Sequence, residues 1–174
     1  MVYRIFISLM LLIFLKSSLA ATEITGAFGI KFGEPISNLK VTRTLASGMT
    51  HGVEPPNPLD LLRLYSVETT NEKNLVYRII GQSLANDKVQ CIEDLASILG
   101  VLEAKYGKFQ SEGTIYRFSQ GKKAITASCI AESGVTQRQV YMIKVTYEDL
   151  GLVACDDICV ECYDDYVRLP DGVG

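Results

Sequence analysis

Residues 87–107 read DKVQCIEDLASILGVLEAKYG, and this stretch decides the fold. Ile92, Leu95, Leu99, Leu102 and Tyr106 recur at i, i+3, i+7, i+10 and i+14, one apolar stripe at helical period. Asp87 is placed to cap the free N–H groups of the first turn, with Gln90 three residues on as its box partner. Gly107 suits the left-handed position after the last turn, and Lys105 lies at the negative end of the helix dipole. Gly100 costs about 1 kcal/mol against Ala, but it faces away from the stripe. A single amphipathic helix must bury its stripe on something, and an antiparallel sheet with one apolar face is the economical partner.

The flanks supply that sheet. Residues 64–70 (LYSVETT) and 75–84 (LVYRIIGQSL) are rich in β-branched and aromatic side chains, and 71–74 is a hairpin-length connection. Residues 114–119, 123–131 and 138–147 read as a three-strand meander with Gly121 and Gly134 in its connections. Ile125, Ala127 and Cys129 share one face of the middle strand; Tyr141, Ile143, Val145 and Tyr147 share one face of the last. Residues 24–33 (ITGAFGIKFG) alternate Phe28, Ile30 and Phe32 with Gly29 and Lys31, the period of one short strand. Residues 48–58 (GMTHGVEPPNP), with two Gly and three Pro, are expected to be loop. The fold expected is therefore α+β: an antiparallel sheet of about five or six strands with one main amphipathic helix packed on one face.

The chain has 174 residues, 48% hydrophobic and 21% charged, which is one domain's worth and too apolar for disorder. Its start is an address. Arg4 precedes the apolar run 5–15 (IFISLMLLIFL), and Ser18 and Ala20 fit the small-residue positions of a signal-peptidase site. Eleven residues span roughly 16 Å as a helix, about half a hydrocarbon core, so cleavage after Ala20 is expected rather than a membrane anchor. The mature product is then a soluble secreted or periplasmic protein with no membrane attachment: a domain over 21–152 and an acidic, Cys-rich tail over 153–174. Without residues 1–20 the net charge falls from −3 to −5. Residues 148–174 hold eight acids against Arg168 alone, net −7, while 21–147 carry net +2. That balance excludes a general nucleic-acid binder, which needs a basic surface.

The runs GAFGIKFGEPIS, VEPPNPLDLLRLYSVETT, LVYRIIGQS, the Cys-bearing helix ending EAKYG, ITASC and VTYEDLGL together resemble a group of small exported bacterial proteins of unassigned function. In that group a short FGI-x-x-G opening leads to a hairpin, a helix ending KYG and a terminal meander. The resemblance covers about residues 26–152, is carried by structural motifs and brings no activity with it. It implies a Cys91–Cys129 disulfide. The residues agree: Cys91 sits in the first helical turn and Cys129 on the strand face expected to meet it, and export favours oxidation. The alternative is two buried thiols acting as small hydrophobes.

The tail reads Cys155-Asp-Asp-Ile-Cys159-Val-Glu-Cys162. Its spacing matches the iron–sulfur motif of radical S-adenosylmethionine enzymes, but it stands twelve residues from the C-terminus without their long α/β barrel, so a cluster is rejected. Three readings remain. One is a local disulfide, Cys155 with Cys159 or Cys162. The second is a free or intermolecular thiol. The third is a metal site in which the three sulfurs, with Asp156, Asp157 or Asp164, hold zinc or, alone, a soft ion such as Cu(I).

Catalytic patterns are sparse. The chain lacks the G-x-S-x-G elbow, the G-x-x-x-x-G-K-[ST] phosphate loop and the H-E-x-x-H pair. Its one histidine, His51, falls in the expected loop, where it is read as solvated. The neighbouring acids Glu93-Asp94, Glu148-Asp149 and Asp156-Asp157 point apart on a regular element. No catalytic residue and no cofactor is assigned. The function expected is a non-enzymatic, inhibitor- or immunity-like module that presents a sheet face or edge to a protein partner. Asp156, Asp157, Glu161, Asp164 and Asp165 would steer a basic partner. The alternative is metal binding through Cys155, Cys159 and Cys162.

Overall fold

A computed structural model describes residues 22–133 and 139–156. Residues 1–21, which include the expected signal segment, the 134–138 connection and the tail from 157 onward lie outside the described residues. The first element departs from expectation. Residues 24–33 are not one strand but a tight hairpin, β1 (Gly26–Ala27) and β2 (Ile30–Lys31). Phe28 (φ 56°) and Gly29 (φ 84°) both take positive φ, as a two-residue hairpin turn requires. Gly26 is obligatory, because a Cβ there would stand 2.0 Å from the Ile30 carbonyl oxygen.

After a 3₁₀ turn at Ile36–Asn38, β3 (Lys40–Thr44) and β4 (Thr50–Glu54) pair antiparallel. This corrects the loop expected over 48–58. The prolines all follow Glu54 and stop the strand rather than interrupt it, and Gly48 (φ 74°) supplies the preceding turn. Gly52 lies inside β4 because the Arg43 side chain crosses it; a Cβ there would come within 2.9 Å of Arg43 Cγ.

The expected hairpin is present as β5 (Leu64–Thr69) and β6 (Val76–Ala85), with a bulge that leaves Tyr77 unpaired. Helix α1 runs Lys88–Tyr106, and Gln90 N donates to Asp87 Oδ1 at 2.9 Å. The Gln90 side chain reaches back to Asn86 rather than to the cap residue itself. At the other end Gly107 has φ 103° and ψ −177°, positive but outside the left-handed helical basin, and its N–H donates to the Glu103 carbonyl. The buried face is Cys91, Leu95, Ile98, Leu102 and Tyr106. The stripe is thus rotated from the expected one: Ile92 is 49% exposed and Leu99 only partly buried.

Beyond α1 come β7 (Gln110–Glu112), β8 (Ile115–Gln120), β9 (Lys123–Ser133), β10 (Gln139–Asp149) and a second helix, α2 (Leu150–Asp156). The sheet has eight strands in the order β3-β4-β5-β6-β10-β9-β8-β7, every neighbour antiparallel. The count exceeds the expected five or six because β3, β4 and β7 carry too few apolar residues to read as strands; every residue of β3 and β7 is exposed. The architecture is two four-stranded meanders, with α1 as the bridge that carries the chain from the middle of the sheet to its far edge. There β7 begins and the meander walks back until β10 pairs with β6.

α1 packs across β6, β9 and β10. The cross-strand row Val67, Ile79, Tyr147 and Ile125 forms the centre of the core, with Ile143, Val145 and Ala127 beside it. The faces expected on β9 and β10 therefore point where the sequence places them. Cys91 and Cys129 join helix to sheet through a disulfide, with Cα atoms 5.9 Å apart. Among the described residues no helix is long and apolar enough to cross a membrane.

Candidate functional site

Because side chains alternate, the residues between the core rows point to the opposite, second face of the sheet. One row there is charged. Register places Glu68 opposite Arg78, and Arg78 opposite Glu148. Arg78 Nη1 donates to Glu68 Oε2 at 2.6 Å, Arg78 Nη2 to Glu148 Oε2 at 3.3 Å, and Arg117 Nη2 to Glu148 Oε1 at 3.4 Å. Tyr77, turned onto this face by the bulge, donates its hydroxyl to the same Glu68 oxygen at 2.7 Å, and Arg78 stands 5.3 Å from the centre of its ring. Burial pushes the Tyr77 phenol up to about 12, with the Glu68 hydrogen bond and charge adding to it. Burial opposes the charge on Arg78, but the carboxylates of Glu68 and Glu148 outweigh it and hold the guanidinium more firmly protonated. Arg78 Nε is buried without an acceptor among the described residues, a cost offset by the two charge-assisted bonds of the same group.

Around this row the second face is mixed. Ile80 and Ala124 are buried on it, outside the main core cluster; Leu152 of α2 is also buried outside that cluster, and α2 touches β6, the strand that carries Ile80. Toward the other end Leu64 (54%), Leu84 (65%) and Ile115 (45%) are exposed beside Lys144 and Met142. The sheet edges are less inviting. β3 is bulged at its middle, between Val41 and Arg43, and bears Lys40 and Arg43, and β7 is three residues long, both standard protection against added strands.

The residues singled out from sequence fare differently. Cys91 and Cys129 meet and are consumed in a structural cross-link. The backbone of Cys155 and Asp156 forms the end of α2, which runs across the tail boundary expected at 153. Asp157, Cys159, Glu161, Cys162, Asp164 and Asp165 lie outside the described residues, so the metal, disulfide and steering readings of the tail do too. Among the described residues no three His, Cys, Asp or Glu side chains are grouped as a metal site. Glu148 and Asp149 do point apart, Glu148 to the second face and Asp149 into full burial, where its carboxylate accepts from Gly151 N.

His51 corrects the expectation of a solvated side chain. It is 7% exposed, on β4 beside Val67, with Nδ1 3.1 Å from Thr44 Oγ1 and Nε2 3.4 Å from Thr69 Oγ1. Both ring nitrogens meet hydroxyls, so the imidazole bridges three strands at the margin of the core.

Sequence reasoning missed the charged row. The signal was partial: a hairpin closed over 71–74 in regular register sets Glu68 opposite Tyr77, and the bulge, which leaves no mark in the sequence, brings Arg78 opposite Glu68 instead. Comparison of the chain with protein-family models, with curated proteins and with solved structures finds no match.

Proposed function

We propose that this is an exported, non-enzymatic protein-binding module that docks a protein partner on the second face of its sheet. The observation that carries this reading is the face itself: exposed Leu64, Leu84 and Ile115 toward one end and a fixed row of alternating charge toward the other, on a sheet whose other face is packed against α1. Apolar anchors rimmed by charged groups are the composition of a recognition surface, and the Glu68–Arg78–Glu148–Arg117 row gives it a definite pattern for selecting a partner. Docking on the face is favoured over strand addition at an edge, because the edges are short or bulged. The resemblance to small exported bacterial proteins and the leader-like first twenty residues support an encounter outside the cytosol. The acidic tail follows directly from α2 and is positioned in sequence to steer a basic partner.

A photo-crosslinking amino acid placed singly at Leu84 or Ile115, in protein made in its native compartment, tests the reading. Discrete adducts with one protein are expected from both positions, and none from Val89 on the outer side of α1. Adducts from Val89 alone, or from none of the three, would count against the second face.

A further inference from the structure

A separate feature lies on the helix side of the sheet. The β1–β2 turn, the loop after β4 and the last turns of α1 enclose a cleft of about 280 Å³, lined by Phe28, Leu59, Leu102, Lys105, Tyr106 and Tyr147. Two of its walls are phenols that the core has nearly swallowed: Tyr106 is 2% exposed and Tyr147 5%. Their rings meet edge to face at 6.5 Å; no hydrogen bond from either hydroxyl is formed among the described residues, and neither hydroxyl is sealed from solvent, Arg78 Nε being the one buried polar atom without a partner there. Hydroxyls left open in this way are satisfied by water or by a ligand. Here both belong to the lining of the same cleft.

Lys105 stands at this wall, its Nζ 4.9 Å from the centre of the Tyr106 ring and without an ion-pair partner among the described residues. Phe28 forms the opposite lip. It is a bulky residue held at φ 56°, a conformation that costs free energy and is kept only where the surroundings enforce it. The enforcement is visible: its ring packs edge to face on Tyr65 at 5.0 Å and on Tyr147 at 5.6 Å, and its carbonyl accepts from Asn57 N at 2.9 Å.

We propose that this cleft binds an aromatic ring carrying a carboxylate on a short tether, with the ring against Phe28 and the carboxylate taking the two phenol hydrogens beside Lys105. The volume suits one ring and a few more atoms: it exceeds the 150 Å³ or so that holds benzene and falls just short of the roughly 300 Å³ at which drug-sized pockets begin. Two donors and a cation select an anion and repel an amine. Burial, with Tyr106 beside it, pushes the Tyr147 phenol above its ordinary range, so it remains a donor at neutral pH. The same chemistry occurs in a free acid and in a C-terminal phenylalanine, and the test separates them.

The experiment is a titration of the folded protein by NMR with 3-phenylpropionate, its primary amide, and acetyl-Gly-Gly-Phe with a free C-terminus. The acid is expected to bind with Kd on the order of 1 mM and to shift Phe28, Tyr106 and Tyr147 resonances, with the amide about tenfold weaker. Lys105→Gln, which touches no core packing, is expected to bring acid and amide together. Tyr147→Phe keeps the ring and is expected to lose most of the preference. Tighter binding of the peptide identifies a protein C-terminus as the natural source, and tighter binding of phenylpropionate a free acid. Equal affinity for acid and amide in the unmodified protein, an unchanged preference in Lys105→Gln, or no binding of any of the three probes at 10 mM or so overturns the proposal. None of these outcomes bears on the second face, which lies across the sheet.

Discussion

Gly81 and Gly100 carry the same side chain, a hydrogen, and use it in opposite ways. On β6, a Cβ at Gly81 would stand 2.6 Å from Leu62 Cδ1 and 3.2 Å from Phe28 Cζ, so the bare backbone is what lets both residues lie on the sheet. On α1, a Cβ at Gly100 meets nothing within 4 Å. Gly100→Ala is therefore expected to stabilise the protein by about 0.5–1 kcal/mol through the helix term. Gly81→Ala is expected to destabilise it by roughly 1–3 kcal/mol through overpacking. Urea unfolding of the two variants checks the pair, and the same sign for both contradicts it. Tyr77 gives a second test. Its folded phenol ionises near pH 12 against 10.0 for a free one, so the folded state holds that proton more tightly. The associated stability is whole below pH 10 and is lost as pH rises toward 12, and the phenols of Tyr65 and Tyr147 shift in the same direction. An absorbance titration of phenolate should show a late-ionising set of tyrosines. Tyr77→Phe should remove one member of it and soften the loss of stability over that alkaline range. A single transition at pH 10 for every tyrosine would contradict the burial argument.

At the scale of the element, α1 shows what a pattern can and cannot give. Its bounds, its Asp87 cap and its role against an antiparallel sheet were all legible, because capping chemistry and helical period are local. Its rotation was not. Residues 91, 95, 98, 102 and 106 follow the helical period as well as 92, 95, 99, 102 and 106 do, and five apolar side chains fit either set. What breaks the tie is covalent: a cysteine bonded to the sheet must sit at the centre of the buried face. Ile98→Ala is accordingly expected to cost roughly 2–5 kcal/mol and Ile92→Ala less than about 0.5 kcal/mol, as measured by thermal unfolding. Similar losses at the two positions would restore the unrotated stripe. The edges of the sheet were illegible for another reason. β3 and β7 are exposed throughout and pair by backbone alone, so no apolar alternation marks them. In β4 the clustered glycines and prolines outweighed a buried His-Gly-Val core that only the neighbouring strands explain.

For the whole molecule, the disulfide and the two-faced sheet belong to one design. The Cys91–Cys129 bridge closes a loop of 38 residues and ties α1 to β9, so it holds the main helical cover of one face. Chain-entropy reasoning puts its contribution at about 4 kcal/mol. Replacing both cysteines by Ala should lower the melting temperature by roughly 10 °C, and reductant should leave that variant unchanged. A variant that melts with the parent would assign the stability to packing alone. With α1 fixed there, Leu64, Leu84 and Ile115 remain in solvent on the other face. Carbene footprinting of these three side chains, in purified protein and in an extract of its native compartment, measures that exposure directly. Strong labelling when pure and protection in the extract are expected, with Val89 and Ile92 labelled alike in both. Labelling of the second face that is unchanged by the extract would contradict a partner docked on the sheet.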